Sequence, residues 1–393
     1  MQDIRIVIGA NYGDEGKGLM TDYFASQAVT AGKSVLVIPA NGGAQRGHTV
    51  TTPGGIRHVF HHFGSGTLAG ADTWLPRFFI VNPMIFMNEY EELIGKGARD
   101  FRITMDPECP ISTPFDMITN QILEEHRGNA RHGSCGVGIW ETLLRQGKLL
   151  GEMLAMTDDG IRTYLKEDCK KQLQNRLAEN GIPEIPKRWQ EIIGDEGLID
   201  NYICDLRDMS TIAELRGGEI LREYDRLIFE NGQGLLLDRS HKEYKHHTTP
   251  SNTGLRNPAA LIRENLKGKD AEIECCYVTR TYLTRHGAGP FAEECNKEEI
   301  NADMQDLTNV PNPHQGTIRY GKPDAKVIRK RINEDYDSEM FSKGFRKRKT
   351  IAVTHVNEYI SDIVACGDYI SDGETGEQVK RAQRTEYLSG GMP

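Results

Sequence analysis

Apolar residues fall first in a block, Ile4, Ile6, Val7 and Ile8. After a glycine-rich stretch they return at Leu19, Met20, Tyr23 and Phe24. The block reads as a buried strand, and the second set recurs on one side of a helix. A second strand is expected at residues 34–38, and others at 78–81, 227–230, 272–278 and 350–353. Strand, helix, strand at this spacing predicts an α/β fold with a central, mainly parallel sheet flanked by helices. Ligands of such a sheet bind at the carboxyl ends of its strands. From about 156 to 221 the chain turns polar and helical. Leu165, Cys169, Leu173 and Leu177 recur every four residues, and Asn180-Gly181 with Pro183 closes that helix. We expect a helical excursion from a single domain spanning residues 1–393. The basic run 343–349 is expected to precede a strand as a solvated face.

Composition narrows the function. Over 393 residues the net charge is −9, and the pI is about 5.8. That balance excludes a general nucleic-acid-binding surface. No apolar run reaches membrane-spanning length, and a strand at the very start suggests no signal peptide. Eight cysteines without a C-x-x-C suit reduced thiols in a cytoplasmic protein. His61-His62 and His246-His247 lack zinc-site spacing, so hydrogen-bonding roles are expected for them.

The chemistry concentrates in loops that follow strands. Gly9 to Gly18 carries Gly13, Asp14, Glu15, Gly16 and Lys17, ahead of the first helix. Glycines let backbone N–H groups face an anion, the helix start adds partial positive charge, and lysine adds a full one. It is not a standard phosphate loop. Six residues lie between Gly9 and Gly16, and Gly18 stands where Ser or Thr would hold magnesium. An acid among phosphates repels them unless it binds metal or moves a proton. A second glycine loop runs from Asn41 through Gln45, Arg46, Gly47 and His48 to Thr49. Phe229-Glu-Asn-Gly-Gln-Gly-Leu-Leu-Leu-Asp238, Thr284-Arg-His-Gly-Ala-Gly-Pro-Phe291 and Arg384-Thr-Glu386 complete the set.

In this order the segments resemble the adenylosuccinate synthetase family, which joins aspartate to IMP using GTP and magnesium. The resemblance spans nearly the whole chain. It implies that Asp14 takes the purine N1 proton, so that O6 attacks the γ-phosphate, and that Asp14 and the Gly47 carbonyl hold Mg²⁺. By the same resemblance Lys17 contacts phosphate, His48 donates to the transferring phosphoryl group, and Gln233 holds O6. The triphosphate site then comprises Gly13, Glu15, Gly16, Lys17, Gly18, Gly47, His48, Thr49 and Asn357. The monophosphate site comprises Asn41, Gln45, Ser134, Cys135, Gly136, Gln233 and Thr249. Arg145 is matched either to a family arginine that crosses a homodimer interface or to a surface arginine. The aspartate loop is His314-Gln-Gly-Thr-Ile-Arg-Tyr-Gly321. Thr317 and Arg319, with Arg285, are the carboxylate binders, since arginine pairs with carboxylate bidentately. Arg329 and Arg331 are expected to face solvent.

Departures from the family pattern bear on the substrate. Gln45-Arg46 replaces Asn-Ala, and Gly133-Ser-Cys-Gly-Val-Gly-Ile-Trp-Glu141 replaces the Thr-Thr-Gly-Arg-Gly-Ile-Gly loop. Cys135 reads as a small packing residue. Asn357 stands where the family aspartate reads guanine, and asparagine donates as well as accepts, which suits adenine. These changes resemble the phage branch that uses dGMP on the route to diaminopurine DNA, which would act in the host cytoplasm. The first expectation is therefore a ligase for L-aspartate and dGMP driven by ATP or dATP. IMP with GTP is the alternative, favoured by the retained Asp14. A non-catalytic nucleotide-binding regulator is the third reading, and it would need neither His48 nor Gln233.

Overall fold

The structure is a computed structural model. It describes residues 2–244, 246–304 and 317–382. Ten strands form the central sheet: β1 (Gln2–Gly9), β2 (Val35–Pro39), β3 (Asp72–Leu75), β4 (Ile103–Met105), β5 (Glu214–Leu215), β6 (Arg226–Glu230), β7 (Ala271–Arg280), β8 (Phe345–Thr354), β9 (Tyr369–Ser371) and β10 (Val379–Arg381). Their spatial order is β10-β9-β8-β7-β1-β6-β2-β3-β4-β5. Every neighbouring pair is parallel except β9 with β10. The expected parallel α/β sheet is thus present. Its central strands are apolar on both faces because helices cover both sides. Ile4, Ile6, Val7 and Ile8 are fully buried.

The early strands lie within one or two residues of expectation, with one exception. Phe79–Ile80 is a two-residue strand that pairs with Gly42–Gly43 outside the central sheet. The basic run at 343–349 does not precede β8 but forms much of its first half. Arg348 pairs with the buried Glu274. Lys347 donates to the Glu339 carbonyl at 2.8 Å and lies over the Tyr336 ring. These cations therefore cover and cap neighbouring elements as well as meeting water.

Helix α1 (Lys17–Thr30) starts directly after the first glycine loop. Leu19, Met20 and Phe24 pack it onto Val7, Val37 and Ile228. The other face is covered by Arg256–Asn265 and Ala325–Ser338, which bury Leu261, Ile262, Ile328 and Ile332. The helical excursion packs with α2 (Pro83–Gly95) and α3 (Pro114–Arg127) into a further core. Leu165, Cys169, Leu173 and Leu177 are all buried there. Their four-residue spacing stays in register through a π turn at Leu165–Cys169. That helix ends at Glu179 with Gly181 in the left-handed region (φ 80°).

Asp22 also lies on α1 and is 5% exposed. Burial pushes its carboxyl up to about 7, with the Ser26 hydroxyl pulling back part of the way. A raised carboxyl pKa means the folded state keeps a proton that the unfolded chain gives up from about 3.8. Its stabilising contribution is therefore complete at low pH and is lost as pH rises through about 7. Asp22→Asn should gain on the wild type across that window, then hold a constant lead. Urea denaturation at a series of pH values measures the gap, and a pH-independent gap would refute the neutral acid.

Candidate active site

The first loop is braced from within. The Glu15 carboxylate accepts the backbone N–H groups of Asn11 (3.0 Å) and Gly13 (2.8 Å), and its other oxygen meets Lys17 Nζ at 2.9 Å. Both side chains of the pair are 2% exposed. Glu15, expected at the triphosphate, is thus placed as the loop's internal anion, and Lys17 is paired with it. Gly16 adopts φ 93° at the helix start. A Cβ on Gly18 would lie 2.7 Å from the Thr49 carbonyl oxygen and 3.2 Å from His48 Cβ. Close approach of the second loop, not magnesium, therefore accounts for glycine where other phosphate loops carry a hydroxyl.

Four distant segments converge on this loop. Arg280, at the end of β7, donates Nε–H to the Asp14 carbonyl. Thr354, at the end of β8, donates its hydroxyl to the Glu15 carbonyl at 2.9 Å. The backbone of Gln233 lies against Gly13 and Gly9. Arg331 donates to the Ala10 carbonyl (3.0 Å) and Asn11 Oδ1 (2.8 Å). Arg331 therefore does not face solvent as expected, whereas Arg329 does. Asp14 takes a left-handed conformation (φ 59°), and its Oδ2 lies 2.6 Å from His286 Nε2. Burial alone would raise the Asp14 pKa. The His286 hydrogen bond and charge outweigh it, with Arg280 and Lys17 adding to them, and hold the carboxyl below the usual range.

The second loop hangs on Glu230, the last residue of β6. This fully buried carboxylate accepts from Arg46 Nη2 (3.2 Å), His48 Nδ1 (2.6 Å), the Ser65 N–H (3.1 Å) and the Ser65 hydroxyl. Burial raises its pKa, but Arg46 and His48 more than reverse this, bringing it down to about 2. An ionised carboxylate only accepts, so His48 Nδ1 carries the proton and neutral His48 presents a lone pair at Nε2. Burial lowers the His48 pKa to about 4; Glu230 pulls it up, while Arg46 and Lys17 push it further down. Donation from Nε2 to a phosphoryl group therefore requires the imidazolium, which an approaching polyanion favours.

Asn41, Gln45 and Gln233 meet around Gly42. Asn41 Nδ2 reaches the Gly232 carbonyl at 3.3 Å and Gln233 Oε1 at 3.4 Å. Both polar atoms of the Gln45 amide are buried without a protein partner, as is Thr249 Oγ1. Buried polar atoms of this kind point to a ligand. The Gly133 loop is held by Glu124, whose carboxylate takes the N–H groups of His132 (3.3 Å), Gly133 (2.8 Å) and Ser134 (3.3 Å). Ser134 Oγ accepts from Asn120 at 2.8 Å, and the Gly136 carbonyl accepts from Gln121 at 3.1 Å. Burial raises the Cys135 thiol pKa, in keeping with a packing residue.

The arginines divide differently from expectation. Arg145 is not a surface residue: it is buried and grips Asp116 bidentately (2.9 and 3.0 Å), the Ile111 carbonyl (2.7 Å) and the Tyr164 hydroxyl (2.6 Å). Arg319 is bidentate to Glu294 and reaches the Gly289 carbonyl at 2.9 Å. Arg285 is 1% exposed and lies over the Tyr12 ring. It donates to the Pro290 carbonyl (2.7 Å), while its Nε has no protein partner. Thr317 is exposed, and Asn357 is exposed just beyond β8. Residues 314–316, 384 and 386 lie outside the described residues. The sequence reading missed Glu230, Glu124, Arg280 and His286. For His286 the available signal was its place inside the Thr-Arg-x-Gly-Ala-Gly-Pro segment.

Among the described residues no group of three or more His, Cys, Asp or Glu could hold a metal ion. None of the described helices is long and apolar enough to cross a membrane.

The adenylosuccinate synthetase family profile matches residues 6–380. The chain belongs to that family. An adenylosuccinate synthetase of Alkaliphilus metalliredigens is 28% identical over 300 residues, which cover 75% of this chain and 66% of that protein. One of Azotobacter vinelandii is 27% identical over 340 residues, covering 83% and 73%. The match to the first of these relatives thus spans just under two thirds of its length. Two solved structures share the fold. The fully ligated adenylosuccinate synthetase of Plasmodium falciparum superposes with a TM-score of 0.64 at 16% identity, covering 96% of this chain and 99% of that one. The cyanophage S-2L succinoaminodeoxyadenylate synthetase, bound to dGMP and dATP as an energy donor, gives 0.63 at 14% identity, covering 99% and 98%.

The placement of Arg145 is testable without any ligand. Arg145→Ala leaves Asp116 buried and unpaired, which should cost about 3–5 kcal/mol of stability. Denaturant unfolding of the ligand-free protein measures it, and an unchanged midpoint would refute a structural role for the pair.

Proposed function

We propose that this member of the adenylosuccinate synthetase family condenses L-aspartate with a 6-oxopurine nucleoside monophosphate through a 6-phosphoryl intermediate. The observation that carries the reading is the meeting of Asp14, Lys17, His48 and Gln233 on three glycine loops at the carboxyl ends of β1, β2 and β6. Asp14, ionised and aimed from the first loop, takes the purine N1 proton. The electron pair moves to O6, which attacks the γ-phosphorus while the nucleoside diphosphate leaves. Gln233 holds O6. Lys17 exchanges Glu15 for phosphate oxygens, and His48 as imidazolium donates to the transferring group. The aspartate amine then attacks C6 and inorganic phosphate departs. A purine oxo group is a poor leaving group and a phosphoryl ester a good one, so the chain's task is positioning and charge stabilisation. Magnesium held by Asp14 and the Gly47 carbonyl would neutralise triphosphate charge. Arg285, Arg319 and Thr317 would receive the aspartate carboxylates once Arg319 releases Glu294. We assign a homodimer by analogy with the family.

For the substrates we favour dGMP, with ATP or dATP as donor. Asn357 in place of the guanine-reading aspartate supports the donor choice, and the cyanophage enzyme that shares the fold is bound to dGMP and dATP. The retained Asp14 carboxylate favours the second reading, IMP with GTP. Mixing the protein with aspartate, Mg²⁺ and each pairing of dGMP or IMP with ATP, dATP or GTP separates them. The succinylated purine is expected from dGMP, by mass. Product from IMP alone would select the second reading, and none from any pairing would leave a nucleotide-binding regulator. Asn357→Asp should move donor preference toward GTP, read as the ratio of kcat/KM for GTP and ATP. An unchanged ratio would show that another residue reads the donor base.

A further inference from the structure

His286 has no part in the chemistry above, yet it is the side chain paired with the base. Its Nε2 lies 2.6 Å from Asp14 Oδ2. A carboxylate only accepts, so the imidazole donates. The two residues come from loops fixed independently. Asp14 has its carbonyl held by Arg280 and its backbone in the left-handed region, which leaves its side-chain torsions as the remaining freedom. The loop bearing His286 is clamped by Arg285, which donates to the Pro290 carbonyl at 2.7 Å and the His247 carbonyl at 3.1 Å. It also backs onto the Gly133 loop so closely that a Cβ on Gly287 would lie 2.9 Å from the Gly133 carbonyl oxygen.

Asp14 needs such a partner. The charges of Lys17 and Arg280 both act on its carboxylate, and either would draw a freely rotating side chain toward itself. A base turned toward Lys17 is turned toward phosphate and away from a purine edge. We propose that His286 is a positioning residue that fixes the Asp14 rotamer, using one lone pair of Oδ2 and leaving Oδ1 to meet the purine N1–H. The inference rests on the reading of Asp14 as the base. It adds a constraint to that reading: Oδ1 is the carboxylate oxygen that meets the heterocycle. The contact of the His286 loop with the Gly133 loop also ties the base's orientation to the monophosphate site.

Reach separates this role from a merely structural one. Glutamine carries its amide N–H one bond further out than asparagine and can replace the imidazole donor; asparagine and alanine cannot. Steady-state kinetics of the wild type, His286→Ala, His286→Asn and His286→Gln, with the monophosphate the wild type uses, test it. His286 is partly exposed, so all three are expected to fold, and thermal melts confirm it. The expected result is a fall in kcat of about 10–100-fold in the alanine and asparagine variants, with KM for all three substrates roughly unchanged and most of kcat restored by glutamine. A kcat unaffected in His286→Ala, a loss confined to KM, or a glutamine variant as slow as alanine would overturn the proposal. A wild type that makes no product from any pairing fails the functional reading itself, whereas an active wild type indifferent to His286 fails this inference alone.

Discussion

An ionised carboxylate buried at the end of a central strand survives only if donors surround it, and Glu230 has four. Everything about the second loop follows from that requirement. Arg46 supplies the charge that balances Glu230. Ser65 brings in the segment after the 57–60 strand, whose Phe63 carbonyl also takes Arg46 at 3.3 Å. His48 is oriented because its Nδ1 proton has one destination. The imidazole cannot turn without leaving a buried acceptor short, which costs about 1–3 kcal/mol or more for a charged group. The same bond dictates which ring nitrogen faces the site and in which protonation state it can donate.

The first loop obeys the same rule with different residues. Glycine-rich turns leave N–H groups pointing inward, and in water-poor surroundings these need acceptors. Glu15 answers them in the first loop and Glu124 in the Gly133 loop. Each loop is therefore shaped before any phosphate arrives, so little conformational entropy remains to be lost on binding. An acid within a phosphate loop looks contradictory only if every carboxylate is assumed to face the ligand. Glu15 turns inward and holds the loop, while Asp14, its neighbour in a left-handed conformation, turns outward toward His286.

The legible part of the fold was the part with local cause. Buried parallel strands are runs of Ile, Val and Leu, so β1, β2 and β6–β8 stood out, as did the four-residue apolar spacing that ends at Gly181. The short outer strands β3, β4, β5, β9 and β10 are two to four residues long, and their pairing is decided by distant chain. The site divides the same way. Glycines, Asp14, Lys17 and His48 were readable because they sit in loops after apolar runs. Arg331 was misread because periodicity placed it on a helix face, while its partner Asn11 lies 320 positions away in the chain. The surface reading of Arg145 failed because sequence offered no sign of Asp116 behind it.

Charge placement, more than shape, then distinguishes this chain within a widely shared sheet. At 14–16% identity the solved relatives retain the architecture, so most core residues are interchangeable as long as volume and pattern hold. Arg46 beside Glu230 and His286 beside Asp14 are contacts of a different kind. Each is a polar partner supplied from another loop to a carboxylate of this chain, and a small or apolar residue in its place would remove one of that acid's donors. Substitutions at such positions come coupled, because changing either member alone exposes the other to the desolvation it was paired against. The chemistry of the site is thus held in place less by the residues that would touch substrate than by the partners that fix their direction.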